Sequence, residues 1–380
     1  MPQQLPGLTQ QLQKIIAANS ISSSNAHLDQ GNREVIDLLA DWLSQLGFSI
    51  DIMPMEHPGK ANLIATLGSG PGGLVLAGHT DTVPCDEHLW QQDPFSLVEK
   101  DNRFYGLGTC DMKGFFPLVI EAARKFSDQK LKQPLIILAT ADEESSMCGA
   151  IALAKAGKPK ARYAVIGEPT GLKPVSMHKG IMVEKLVITG RSGHSSDPSL
   201  GVNAMESMNK ALTELLTFRD ELKTRHNNAS FAISYPTMNL GCIHGGNNPN
   251  RICGHCELGF EIRPLPGMDI QKLHGELEQR LRNVLGSEAT SFKLEHYGLP
   301  PFQLNPESEL LALCEKIAGK SAESVSFATE APYLQSLGMD VMVLGPGDVS
   351  EAHQPNEFLA LDRINPTVDM LGQLIGRCCL

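Results

Sequence analysis

Three short runs, "LVLAG" at 74–78, "LIILATA" at 135–141 and "YAVIG" at 163–167, carry almost nothing but apolar side chains, and they narrow the choice of fold most. A strand with one wet face alternates apolar and polar residues. An unbroken run rich in Val, Ile and Leu suits a strand covered on both faces, as in a parallel sheet with helices packed on either side. Around the runs, "NREVIDLLADWLSQLG" and "MKGFFPLVIEAARKFSD" place apolar residues at helical spacing, and Gly47 ends the first at a C′ position. "FSIDIMP" and "ANLIATLG" read as further strands. The pattern predicts an α/β domain with a mainly parallel sheet, whose ligands sit beyond the carboxyl ends of its strands.

At 380 residues the chain is long for a single core, which favours two domains or one domain with a large insertion. From Lys179 the pattern changes. "IMVEKLVITGRSG" alternates, "GVNAMESMNKALTELLTFRDELK" is a long amphipathic helix, and "TMNLGCIHGG", "RICGHCELGFEIRPL", "DIQKLHGELEQRLRNVL" and "SFKLEHYG" follow. Strand, helix, strand, strand, helix, strand is the order of a ferredoxin-like α+β module with two helices on one face of an antiparallel sheet. The α/β pattern then resumes with "SELLALCEKIAG", "MDVMVLGPG" and a final helix. The expected division is a first domain made of 1–178 and 298–380, with 179–297 inserted into it.

A net charge of −11 without clustered Lys and Arg argues against nucleic acid, leaving small molecules as partners. No apolar run is long enough to cross a bilayer, and the N-terminus lacks the features of a secretory signal, so the cytoplasm is expected. Nine cysteines without regular spacing suit free thiols in a reducing compartment. Cys253 and Cys256 lack the second pair that a zinc knuckle needs and read as small apolar residues of a strand.

The strand ends carry a restricted set of polar residues: His79 and Asp81 after the first run, Glu143 and Glu144 after the second, Glu168 after the third and His353 after "VMVLGPGDVSEA". Asp111 lies in the loop "GLGTCDMKG". Singly, each suits a helix N-cap, a solvated turn or a half-buried side chain. Together in one crevice they would repel each other unless cations neutralise them. Imidazole and carboxylate without thiolate suits Zn²⁺, Co²⁺ or Mn²⁺. Two ions fit if one carboxylate, Asp111, bridges them. Asp81, two residues after His79 on a strand, is placed to accept a hydrogen bond from its ring. Glu144 then ligates while Glu143 takes a proton from an attacking water. The spacing in "YGLGTCDMKGF" matches neither a P-loop nor a dinucleotide fingerprint, and Cys110 and Cys148 read as buried apolar residues. A binding protein that had kept the fold and lost the reaction would lack the base, yet Glu143 is present.

"GHTDTVP", "GLGTCDMKG", "ADEES", "GEPT" and "EAHQPNE" resemble the motif set of the co-catalytic zinc aminoacylases and metallopeptidases, a family that includes succinyl-diaminopimelate desuccinylase, aminoacylase and glutamate carboxypeptidases. The resemblance runs from about His79 to His353, inserted module included. It implies hydrolysis of the amide of an N-acyl amino acid at two divalent ions per chain, Zn²⁺ first and Co²⁺ as the alternative. His79, Asp111 and Glu168 would hold one ion, with Asp111, Glu144 and His353 holding the other and Glu143 as general base. The family implies a cis peptide after Asp111. It also implies that the module is a lid that forms a homodimer, with His194 reaching from one subunit to stabilise the oxyanion in the other. Arg263, Arg251 and Asn248 are the expected contacts for the substrate carboxylate, Lys179 and Thr329 further pocket elements, and Glu330 a partner for a cationic substrate side chain.

Overall fold

The three apolar runs form the strands Leu74–His79, Leu135–Thr140 and Tyr163–Ile166, buried at every position. In the computed structural model, which describes residues 5–286 and 291–380, they lie side by side with Asp340–Val343 as four parallel strands. Their order is Leu135–Thr140, Leu74–His79, Tyr163–Ile166, Asp340–Val343. Antiparallel strands extend both sides: Ala61–Leu67 and Ser49–Pro54 on one, Val175–His178 on the other. The continuous apolar character follows from helices covering the sheet, and each fully buried Leu or Ile contributes roughly 1.5–3 kcal/mol. Helix Arg33–Gln45 buries Val35, Ile36, Leu39, Trp42 and Leu43 at helical spacing. Gly47, at φ +84°, takes the left-handed turn that follows it.

Two compact units divide the chain: Met1–Ser176 with Leu304–Glu323 and Thr329–Leu380, and Met177–Gln303 with Ser324–Ala328. The second unit therefore takes 177–178, 298–303 and 324–328, which the sequence reading gave to the first domain. The physical reason is pairing: Phe302 and Gln303 form a short strand against His178 and Met177. A small three-stranded sheet of Val98–Lys100, Arg103–Tyr105 and Phe358–Ala360 in the first unit was not anticipated.

The second unit has the split βαβ order. Strands Ile181–Thr189, Thr237–Gly245, His255–Arg263 and Ser291–Leu299 form one antiparallel sheet in which Ile181–Thr189 lies between His255–Arg263 and Ser291–Leu299. Helices Ala204–Arg225 and Ile270–Leu285 start at Asn203 and Asp269, whose side chains accept from first-turn amides. They bury Leu215, Phe218, Leu277 and Leu281 in one core with Leu186 and Ile188 of the sheet. All nine cysteines are free thiols. Among the described residues, no helix is long and apolar enough to cross a membrane.

Candidate functional site

Parallel pairing sets the carboxyl ends of the central strands level, with His79 opposite Thr140 and Ala77 opposite Ile166. The backbone there is tightly packed. A side chain on Gly167 would run into the Phe115 ring, and one on Gly345 into the Gly167 carbonyl, so the segments leading to Glu168 and His353 approach as closely as backbones can.

Asp111 stands between the two imidazoles. Its Oδ1 is 3.1 Å from His79 Nε2 and its Oδ2 is 3.4 Å from His353 Nε2. Glu144 Oε1 is 3.1 Å from His353 Nε2, and Glu168 Oε1 is 3.9 Å from His79 Nε2. Atoms of His79, Glu143 and Glu168, and of His79, Asp111 and Glu144, cluster closely enough to hold a cation. The Asp111–Met112 peptide is cis, as the family resemblance implies.

The electrostatics of this crevice call for positive charge. Burial, then the Asp111 carboxylate, pushes Glu168 well above the usual carboxylate range. Burial followed by the Glu168 charge does the same to Glu143, and burial with the Asp111 charge raises Glu144. Hydrogen bonds to Asp111 and Glu144 lift His353 to about 10. Burial opposes protonation of His79, but the Asp111 hydrogen bond and the Glu168 charge outweigh it and raise its pKa well above the ordinary value. Asp111 itself is lowered, because hydrogen bonds from His353 and His79 overcome the effect of burial. Glu168 Oε1 is buried without a hydrogen-bond partner. The donor set, the unpartnered carboxylate oxygen and the demand for positive charge all fit divalent cations.

Asp81 differs from its expected role. His79 Nδ1 donates to the main-chain carbonyl of Asp81 at 3.0 Å, while the Asp81 carboxylate lies 3.6 Å away from that nitrogen. The carboxylate instead accepts the amides of Glu143 and Glu144, at 3.2 and 3.0 Å. The Nδ1–H bond to that carbonyl fixes the ring with Nε2 towards Asp111.

Several buried groups that the sequence reading missed hold the site in place. Glu357 accepts amides from Gly108, Cys110 and Asp111, and burial raises its pKa to about 8. Lys60 bonds Asp29 and Asp142, the residue just before Glu143. Glu330 is 1% exposed and accepts from the Thr140 hydroxyl, so it lies inside the first unit rather than at a surface open to a substrate cation. Thr329 is also fully buried, with Oγ1 accepting from the Ala331 amide.

The remaining expected contacts belong to the second unit. His194 is exposed; its Nδ1 accepts from the Ser196 amide, which places the ring proton on Nε2. His194 and Arg251 pair as an isolated antiparallel bridge, and Asn248 shapes the same turn by accepting from the Asn250 amide. Arg251 borders a cavity of about 620 Å³ with His244, His255 and Glu257. Two expected contacts are engaged elsewhere. Arg263 makes a bidentate pair with Glu261, at 2.6 and 3.1 Å, and the buried Lys179 ammonium donates to the Tyr235 carbonyl at 2.8 Å.

The model of peptidase family M20/M25/M40 matches residues 75–377. The chain belongs to this family. Among its M20 relatives, the acetylornithine deacetylase of Proteus mirabilis is 50% identical over 379 residues, covering 99% of this chain and 98% of the relative. That of Pasteurella multocida is 48% identical over 378 residues, with 99% of each chain covered. The fold is also that of an M20-family metallo-carboxypeptidase from Sulfolobus solfataricus, with a TM-score of 0.77, 19% identity and 97% and 98% coverage.

Proposed function

We propose that this M20-family chain hydrolyses the amide of N2-acetyl-L-ornithine to L-ornithine and acetate, a step of arginine biosynthesis in the cytoplasm. The observation that carries the reading is identity of 46–50% over nearly the whole chain to relatives named acetylornithine deacetylase.

The residues suit that reaction. His79, Asp111 and Glu168 would hold one divalent ion, and Asp111, Glu144 and His353 a second. Asp111 turns one oxygen towards each imidazole and so would be the carboxylate shared by both ions. Two such ions, Zn²⁺ or Co²⁺, would supply the positive charge that acidifies water and polarises a carbonyl. Glu143, raised by burial and by the Glu168 charge, accepts the proton of the attacking water and passes it to the departing amine. Asp81 orients Glu143 and Glu144 through their amides. His194, whose Nδ1 accepts from the Ser196 amide, can turn Nε2 as a donor to the tetrahedral oxyanion, and we assign it to the lid of a second copy in a homodimer. Arg251 and Asn248 remain the contacts assigned to the substrate carboxylate.

The test is a purified-enzyme panel of N-acetylornithine, N-acetylmethionine, succinyl-diaminopimelate and dipeptides. The highest kcat/KM is expected for N-acetylornithine. A negligible rate on it beside efficient cleavage of another member would assign the chain to a different N-acyl-amino-acid amidase or dipeptidase of the family.

A further inference from the structure

Strand Ile181–Thr189 turns four side chains into the core of the second unit: Met182, Leu186, Ile188 and, among them, Glu184. A carboxylate on an apolar strand face with no exposure is unstable unless something compensates it. Its neighbours are two imidazoles from different elements. His296 sits directly opposite Glu184 in the sheet, with Nδ1 3.0 Å from Oε1, and His274 of helix Ile270–Leu285 brings its own Nδ1 to 2.8 Å from that oxygen. The rings stack with centroids 4.8 Å apart.

Protons alone satisfy this arrangement poorly. His296 Nδ1, close as it is, makes no hydrogen bond, and Glu184 Oε2 is buried without any partner. Protonating both stacked rings would set two like charges against each other. A single divalent ion would answer all of these demands, because it accepts lone pairs from both Nδ1 atoms and from the carboxylate. The ligand atoms lie within 4.8 Å of one another. His274 and His296 keep partial exposure, side chains 21% and 13%, which leaves a route for the ion and a water. Gly298 makes room as well, since a side chain there would crowd His296 Cε1.

We propose that Glu184, His274 and His296 form a structural site for a divalent transition-metal ion, separate from the catalytic residues, that ties helix Ile270–Leu285 to the sheet of the second unit. Imidazole nitrogen with a single carboxylate favours Zn²⁺ or its neighbours over Mg²⁺ or Ca²⁺.

The experiment counts ions. Metal-stripped wild type, His274→Asn and His296→Gln are dialysed against Zn²⁺, and bound metal per chain is measured with melting temperature. Each variant should bind one equivalent fewer than wild type, lose part of the Zn²⁺-induced rise in melting temperature and keep its kcat once loaded. An unchanged equivalent count in either variant overturns the site. Should His296→Gln not fold, His274→Asn, at a partly exposed helix position, decides alone. The count does not depend on which amide the enzyme cleaves, so failure here leaves the substrate assignment standing.

Discussion

The Asp81 carboxylate holds Glu144 by its main-chain amide, at 3.0 Å, and takes the Glu143 amide with its other oxygen. One buried side chain therefore ties the end of strand Leu74–His79 to the segment that follows strand Leu135–Thr140.

Replacing Asp81 by Ala should disturb Glu143 and Glu144 together. His79 keeps its bond to the main-chain carbonyl, but the amides of Glu143 and Glu144 lose their acceptor. We expect kcat and metal affinity each to fall roughly 10–100-fold, the usual effect of removing a group that orients ligands. Steady-state kinetics and metal titration check this, and a loss confined to affinity with kcat intact would return Asp81 to a role through His79 alone.

Glu143→Gln should separate binding from chemistry. The variant is expected to retain wild-type metal content while kcat drops by about 10²–10⁴ or more, as for a positioned base. Elemental analysis beside turnover decides it; near-normal kcat would place the base elsewhere.

Lys60 is the cation between Asp29 and Asp142, with Lys60 and Asp142 buried and Asp29 half-buried. Lys60→Met would leave both carboxylates uncompensated, and breaking such a pair from one side costs about 3–5 kcal/mol. Denaturant unfolding measures it. A change below about 1 kcal/mol would mean that water replaces the ammonium.

His178 gives the fold an acid-sensitive element. Burial holds its pKa down to about 4, and its Nδ1 lies 2.8 Å from the Lys179 carbonyl. Between the ordinary value of 6.5 and 4 the unfolded chain binds a proton that the folded state refuses. Stability from this residue is therefore unaffected above 6.5 and declines as pH falls towards 4, by about 3 kcal/mol at 1.36 kcal/mol per unit. His178→Phe should flatten the melting-temperature profile over that window. An equally steep profile in the variant would assign the acid sensitivity to other groups.

The sheet and its polar strand ends were legible because a strand buried on both faces leaves an unbroken apolar run, against which a terminal His or Glu stands out. The ferredoxin-like order was legible for a similar reason, since alternation and helical periodicity differ. What escaped depended on contacts distant in sequence. Glu357 lies in a loop without periodicity, and its acceptors' partners are Gly108, Cys110 and Asp111, far away in the chain. The three-stranded sheet consists of strands of three residues each, too short to show a pattern. The Arg263 pair, by contrast, was readable: Glu261 lies two residues earlier on the same strand face. Glu184 went unread in the same way, although its spacing puts it on the strand face of Met182, Leu186 and Ile188.

Glu357 also bears on how the protein is made. The loop that presents Asp111 donates three backbone hydrogen bonds to a residue translated some two hundred and fifty positions later, and His353 is encoded just before it. A nascent chain emerging from the ribosome can build its early strands, yet it lacks both the second imidazole and the clamp on the loop. On the proposed metal set, hydrolysis would therefore have to wait until the C-terminal segment docks.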